Sequence, residues 1–373
     1  MAEAPSLERV QRHLRRFAEI DTVEISPLYH HLAERAAEDA EIAGLLMATS
    51  KEFATPTLLF AAVHRALQAV PFHELTNYYP SLGGSYGPDA GTWPLFRSFV
   101  LEHKESIRTR IATHTVQTNE VRRAALLYPA ISLIAAKNRG PIGLLEVGCS
   151  AGLLLGLHRY SYRYQTEHAG QLVSGPAKAT VGLHCALELQ PGAELPTLPK
   201  KLTVGARVGL DREPIDLSDE EQYAWLEACI WADQPERLRL LSAAAKAQRT
   251  DPPELITGDA VDDLATAAAR IPVELPLVVI TSLATIYLPL ERQREFIAAL
   301  GELAARRSVY WVSHEPYETA MRHLLPERED LRRGPDEQTF GIVGVAHWEN
   351  GQPVGRAVAK TAWHGERMMW LAS

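Results

Sequence analysis

Along the first 139 residues, apolar positions recur at helical spacing. Leu7, Val10, Leu14 and Phe17 share one face of a helix expected over 6–20, and the same spacing predicts helices over 26–36, 38–48, 56–69, 92–112 and 117–137. Between them, Tyr78-Tyr79-Pro80-Ser81-Leu82-Gly83-Gly84-Ser85 and Gly87-Pro88-Asp89 hold too much glycine and proline for a helix, which predicts a loop suited to be a lid or substrate wall. From Pro141 the rhythm changes to short apolar runs alternating with helical segments, the pattern of a parallel sheet covered by helices. Strands are expected at 144–147, 207–210, 254–257, 277–281 and 308–312, with helices near 151–161, 219–247, 261–268 and 291–305 between them. Two last runs, 340–349 and 354–364, meet at Asn350-Gly351, a dipeptide favoured in tight hairpin turns. The pattern predicts an α/β fold: a helical N-terminal lid or substrate domain over 1–139, then a Rossmann-like domain over 140–373 ending in a β-hairpin. Residues 165–203, rich in glycine, proline and small side chains, read as an extra loop or short hairpin grafted onto the sheet.

Candidate chemistry concentrates at residues 141–157, PIGLLEVGCSAGLLLGL. Leu144, Leu145 and Val147 supply a strand, and Glu146 stands two residues before the first glycine. Gly148, Cys149, Ser150 and Gly152 then form a small-residue turn that a ligand can approach closely. The spacing resembles the first motif of class I S-adenosylmethionine methyltransferases, an acid-x-Gly-x-small-x-Gly run whose glycines make room for the cofactor's methionine portion. The same letters also spell the G-x-S-x-G of a serine-hydrolase nucleophile elbow, which leaves Ser150 open as a nucleophile with Asp259 and His314 or His364 as partners. Against the hydrolase stand the carboxylate at Glu146, the lack of an HGGG-type run and the single strand ahead of the turn. A noncatalytic Rossmann-like ligand-binding protein is the third reading.

Other positions sort around that turn. Asp211 ends the second expected strand, where a carboxylate can accept hydrogen bonds from both ribose hydroxyls, although it lies 59 residues beyond Gly152. Asp259 and Ala260 follow the third strand, where an acid receives an adenine amino group or caps the next helix. Ser282 follows the fourth as a cofactor-binding candidate, and His314 and Glu315 follow the fifth as general-base candidates at the carboxyl edge. Gln117 and Asn119 precede the apolar helix that leads into the glycine-turn strand, which places them at the expected cofactor mouth. Tyr79, Tyr160, Arg163 and Trp231 are substrate-binding candidates, with amphipathic packing as the alternative for the Tyr/Arg alternation at 159–164. Asp251-Pro252-Pro253 precedes the third strand rather than following the fourth, so it does not support methylation of base or glutamine amino groups.

Composition narrows the classes. Apolar content of 46% and charged content of 23% are those of an ordinary globular protein, and a net charge of -8 argues against a main task of gripping nucleic-acid phosphates. Three widely spaced cysteines suggest neither zinc nor disulfides and fit a reducing cytoplasm. The 14 histidines show no H-E-x-x-H spacing, so no metal is expected. No apolar run reaches the ~18 residues of a membrane span, and the N-terminus has no signal-peptide core. A cytoplasmic enzyme is expected, with the oligomeric state left open.

Taken together, Tyr79-Pro80-x-Leu82-Gly83-Gly84, Gln117-Thr118-Asn119-Glu120, Leu145-Glu146-Val147-Gly148-x-Ser150-Ala151-Gly152-Leu153, Arg159-Tyr160-x-Tyr162-Arg163-Tyr164, Gly209-Leu210-Asp211-x-x-Pro214-x-Asp216 and Gly258-Asp259-Ala260 resemble a bacterial family of unknown function over nearly the whole chain. That family is similar to class I methyltransferases in its Rossmann half. The resemblance implies a class I methyltransferase-like sheet, S-adenosylmethionine as cofactor and methyl transfer. The large N-terminal domain and the insertion favour an enclosed pocket and a small-molecule acceptor. The chain departs from the family pattern at Leu154, where an Asn is usual, and at His158, where an Asp is usual.

Overall fold

The computed structural model describes residues 4–23, 25–332 and 340–372. They form two compact units, one of Met1–Asn119 with Asp216–Leu241, the other of Glu120–Ile215 with Ser242–Ser373. The division read from the sequence at 139/140 differs in two places. Residues 120–139 pack with the sheet, and 216–241 return to the helical unit, so that helix Pro235–Thr250 begins in one unit and ends in the other.

In the helical unit, element starts follow capping chemistry. Ser26, Thr55 and Asp219 accept amide hydrogens from the first turns of Pro27–Glu38, Pro56–Gln68 and Glu220–Ala228, and the first two helices open on proline. The helix expected over 92–112 is two, Thr92–Glu102 and Lys104–Thr113, broken at His103. The core gathers Leu32, Leu58, Phe60 and Phe96. Trp231 packs its ring at 5.4 Å from Phe17 and 5.7 Å from Tyr29. The glycine-rich run expected to be a lid is fastened down. His64 meets Ser81 Oγ at 2.8 Å, the Tyr78 hydroxyl donates to Asp89 at 2.9 Å, and Tyr79 is fully buried.

The other unit is built on an eleven-stranded mixed sheet. Its strands are β1 (Ile142–Val147), β2 (Ser161–Thr166), β3 (Gln171–Ser174), β4 (Gly182–Leu189), β5 (Val204–Asp211), β6 (Glu254–Thr257), β7 (Leu277–Ser282), β8 (Val309–Glu315), β9 (Gly341–Glu349), β10 (Gln352–Thr361) and β11 (Arg367–Trp370). The five strands read from apolar runs form the parallel half, in the order β6-β5-β1-β7-β8. From β8 the sheet continues antiparallel through the β9/β10 hairpin, whose Asn350 and Gly351 both have positive φ, to β11. It then runs on through β4 and β2 to the edge strand β3.

Of the loop or short hairpin expected over 165–203, the hairpin forms: β3 pairs antiparallel with β2 at the edge, and β4 joins them to the rest of the sheet. The α-helix expected at 151–161 is a seven-residue 3₁₀ helix, Leu153–Arg159, before the chain turns into β2. Its leucines have helical spacing, but Tyr160, Tyr162 and Tyr164 face inward along a strand and draw the chain back into the sheet. The hydroxyls of Tyr160, Tyr162 and Tyr164 donate to the carbonyls of Leu153, Leu157 and Ala125.

Leu145, Val147, Val208, Leu210, Val279 and Trp311 face a core closed by Leu264, Phe296 and Leu300. One cation ties the base of this layer together. The Arg307 guanidinium donates to the carbonyls of Ala268, Ile271, Pro272 and Leu275 at 2.7–3.2 Å. Arg307→Met keeps the stem and removes the donors, and is expected to lower stability by about 2–3 kcal/mol. Urea unfolding followed by tryptophan fluorescence reads this, and an unchanged midpoint would contradict the assigned role.

Candidate functional site

In an open parallel sheet, ligands bind beyond the carboxyl ends of the strands where the strand order reverses. Here that point lies between β1, which leads through β5 to β6, and β7, which leads to β8. The glycine turn leaves β1 at this edge. Gly148 and Gly152 have φ of 74° and 65°, the left-handed region that glycine enters without strain, while Ser150 between them has φ 49°. A Cβ on Gly148 would stand 2.6 Å from Ala284 Cβ, so the turns after β1 and β7 touch there. On Gly152 a Cβ would meet Leu255 at 3.1 Å. These glycines serve conformation and close packing.

The turn is held from two sides. Asp211, at the end of β5, accepts the Ser150 amide hydrogen at 2.7 Å through Oδ2 and the Glu213 amide at 2.9 Å through Oδ1. Gln248 Nε2 donates to the carbonyls of Ala151 and Gly152, both at 2.8 Å. Cys149 is buried, with its sulfur where a Cβ on Gly209 would lie 2.6 Å away.

Glu146 is 4% exposed, and its Oε2 is buried without a hydrogen-bond partner. Burial first, then the nearby Asp211 charge, push its carboxyl well above the usual range, against the opposing pull of the Leu155 amide and Arg123. Arg123 opens helix Arg123–Asn138, is itself buried, and donates from Nε to the Trp363 carbonyl at 3.1 Å. Its charge also reaches His314, which burial chiefly holds neutral.

The period of two along β8 separates His314 from Glu315. His314 shares a face with Ser282 and Glu146. Its Nδ1 meets Ser282 Oγ at 3.2 Å and its Nε2 meets Thr361 Oγ1 at 3.0 Å. Glu315 points to the opposite face, where Oε1 accepts the amides of Ala284 and Thr285 at 2.9 and 3.2 Å and Oε2 is buried without a hydrogen-bond partner. Both general-base candidates are fully buried and hydrogen-bonded to the scaffold, on opposite faces of β8. Between the two strand ends sits Leu283, at φ 54°, a left-handed leucine next to the switch point.

The remaining expected site residues fall elsewhere. While the N-cap position of helix Leu264–Ala268 falls to Asp263, Asp259 sits beside Ala260 after β6 and accepts amides of the turn between them. Against burial, which would raise it, the amides of Val261 and Asp262 with the guanidinium groups of Arg212 and Arg292 hold its carboxyl down to about 2. Gln117 and Asn119 lie in the helical unit, in the extended stretch before Glu120. Tyr79 and Trp231 belong to that unit's core. Tyr160 is fully buried, while Arg163 is exposed on the opposite face of β2, so the aromatic and basic positions do not converge on a substrate. His158 is pulled down to about 4, first by burial and then by Arg159 and Arg207. The sequence reading missed Arg123, Gln248 and Leu283. A cation opening an otherwise apolar helix was a usable signal for Arg123; nothing local marks the other two.

The family model described as "Uncharacterized protein conserved in bacteria (DUF2332)" matches residues 11–370. The chain belongs to this family. A search of curated proteins returned no match. The family match runs through both units and through β2–β4, so the extended sheet is part of the family's own architecture. Among the described residues no group of three His, Cys, Asp or Glu side chains could hold a metal ion, and no helix is long and apolar enough to cross a membrane.

The buried Glu315 makes stability depend on pH. Burial pushes its carboxyl up from 4.5 to about 7. Between these values the folded chain keeps a proton that the unfolded chain has lost, so this group's contribution to stability falls as pH rises, by up to about 3 kcal/mol. Glu315→Gln keeps an acceptor for the two amides and does not ionise. Urea unfolding should show the variant gaining on the wild type by about 2–3 kcal/mol between about pH 5 and pH 8; a gap that stays constant with pH would contradict this.

Proposed function

We propose that the chain binds S-adenosylmethionine at the carboxyl edge of β1 and β5 and transfers its methyl group to a small-molecule acceptor, on a sheet of class I methyltransferase type. The observation that carries this reading is the acceptor capacity beside the glycine turn. Two carboxyl groups stand there, Glu146 with a buried oxygen that has no partner among the described residues and Asp211 with hydrogen bonds from two backbone amides. A carboxylate can accept about four hydrogen bonds, so Asp211 keeps capacity for a ribose diol. The helix behind the turn is a short 3₁₀ segment rather than a full α-helix, which weakens the dipole that pyrophosphate-binding turns rely on. The Asp211 carboxylate and a weak dipole disfavour phosphates and suit a ligand carrying a diol.

In this reading Asp211 would hold the ribose, Glu146 would face the cationic methionine portion, and the backbone of 148–152 would border it. The bound cofactor supplies an electrophilic methyl group. The chain's own task is then to position the acceptor and exclude water, which demands orientation more than covalent catalysis. His314 and Glu315 support the strand ends in this scheme. Ser150 as a hydrolase nucleophile gains no support: His314 pairs with Ser282 and Thr361, and Asp259 with Arg212 and Arg292.

Calorimetric titration with S-adenosylhomocysteine tests the reading without knowledge of the acceptor. One-to-one saturable binding is expected, weakened about tenfold to a hundredfold in Asp211→Ala and not displaced by ATP or NAD. Absence of binding to folded protein, or equal competition by the phosphate-bearing nucleotides, would overturn it.

A further inference from the structure

The helical unit carries a cleft of about 440 Å³ that the site above does not use, within the range of roughly 300–1,000 Å³ typical of small-molecule sites. Two guanidinium groups line it, Arg65 from helix Pro56–Gln68 and Arg110 from helix Lys104–Thr113. Burial, and then the charge of Arg65, lower the Arg110 pKa, so the two cations are close enough to repel. Arg110 is braced by hydrogen bonds to Ser106.

Glu221 is the counter-ion: both its oxygens meet Arg65 Nη2 at 2.7 Å. Its side chain is 80% exposed, however, against 14% for Arg65. An ion pair with so exposed a partner contributes only about 0–1 kcal/mol and is readily exchanged. Arg65 Nε is buried without a hydrogen-bond partner, so this guanidinium is not saturated. A third part of the lining is aromatic. The rings of His114 and Trp225 lie 4.5 Å apart, tilted 51° to each other, and the Trp225 indole is fixed by its N–H to the Thr115 carbonyl at 2.9 Å.

We propose that this cleft binds a small organic oxyanion, a carboxylate or phosphate ester attached to a planar ring. Its charged group takes the place of Glu221 at Arg65 and Arg110, and its ring lies along His114 and Trp225. Guanidinium pairs suit such groups because their planar donor forks match two oxygens at once. The cavity supplies the room, and the displaceable glutamate supplies the means of entry. No residue of the sheet unit takes part, so this inference stands or falls independently of the methyl-transfer reading.

Calorimetric titration of the full chain with phenyl phosphate and with benzoate, against phenol and benzyl alcohol as uncharged rings, tests it. Saturable one-to-one binding of an oxyanion is expected, with none for the uncharged rings; the tighter of the two probes separates a phosphate site from a carboxylate site. Arg110→Gln should weaken binding about tenfold. Glu221→Gln removes the internal competitor from an exposed position without threatening the fold, and should tighten it. No binding of either oxyanion, or affinity unchanged in Glu221→Gln, would overturn the proposal.

Discussion

Asp211 holds two turns with one carboxylate, accepting the Ser150 amide at 2.7 Å and the Glu213 amide at 2.9 Å. Ser150 has a left-handed backbone, which for a residue other than glycine costs roughly 1–2 kcal/mol, and the Asp211 bond falls on that residue's own amide. Across the switch point Glu315 does the same for the turn after β7, accepting two amides immediately beyond the left-handed Leu283. The two turns meet where Gly148 leaves no room for a Cβ against Ala284. The shape of the carboxyl edge therefore depends on carboxylates that pin strained backbone from below.

Those carboxylates also set the electrostatic character of the edge. Burial first, and then the Asp211 charge, hold the Glu146 carboxyl toward its protonated form; the Arg123 guanidinium offsets part of this. Farther along, the acid after β6 is already neutralised by Arg212 and Arg292. The acceptor capacity that remains lies next to the glycine turn, which is where the proposed reading seats the diol of its ligand. The fully buried His314 and Glu315 fit this picture as supports for the strand ends.

The sequence made the parallel half of the sheet readable because strands buried on both faces appear as short apolar runs, as β1, β7 and β8 do, while β5 and the edge strand β6 carry shorter apolar cores. It also marked the turn, Asp211 and the Asn350-Gly351 hairpin, where local chemistry decides the backbone. What it hid was decided at long range. The leucines of 153–157 carry a helical spacing, yet the chain forms only a 3₁₀ segment before β2. The alternation of Tyr160, Tyr162 and Tyr164 with Ser161 and Arg163 was a period-two signal whose partner strand, β4, lies some twenty residues on. The opposite facing of His314 and Glu315 follows from strand period alone once β8 is known to include them. Arg123 was marked only as a cation opening an apolar helix, and Gln248 reaches the site through the fold with no local signal.

Hydrogen exchange measured by mass spectrometry, with and without S-adenosylhomocysteine, locates a ligand directly at the edge that Asp211 organises. Slowed exchange in peptides covering 146–153 and 209–213 is the expected result, since a ligand seated there covers the turn and damps its opening. Unchanged exchange in both segments at saturating ligand, or protection confined to other parts of the chain, would contradict the placement of the site at the β1/β7 switch point.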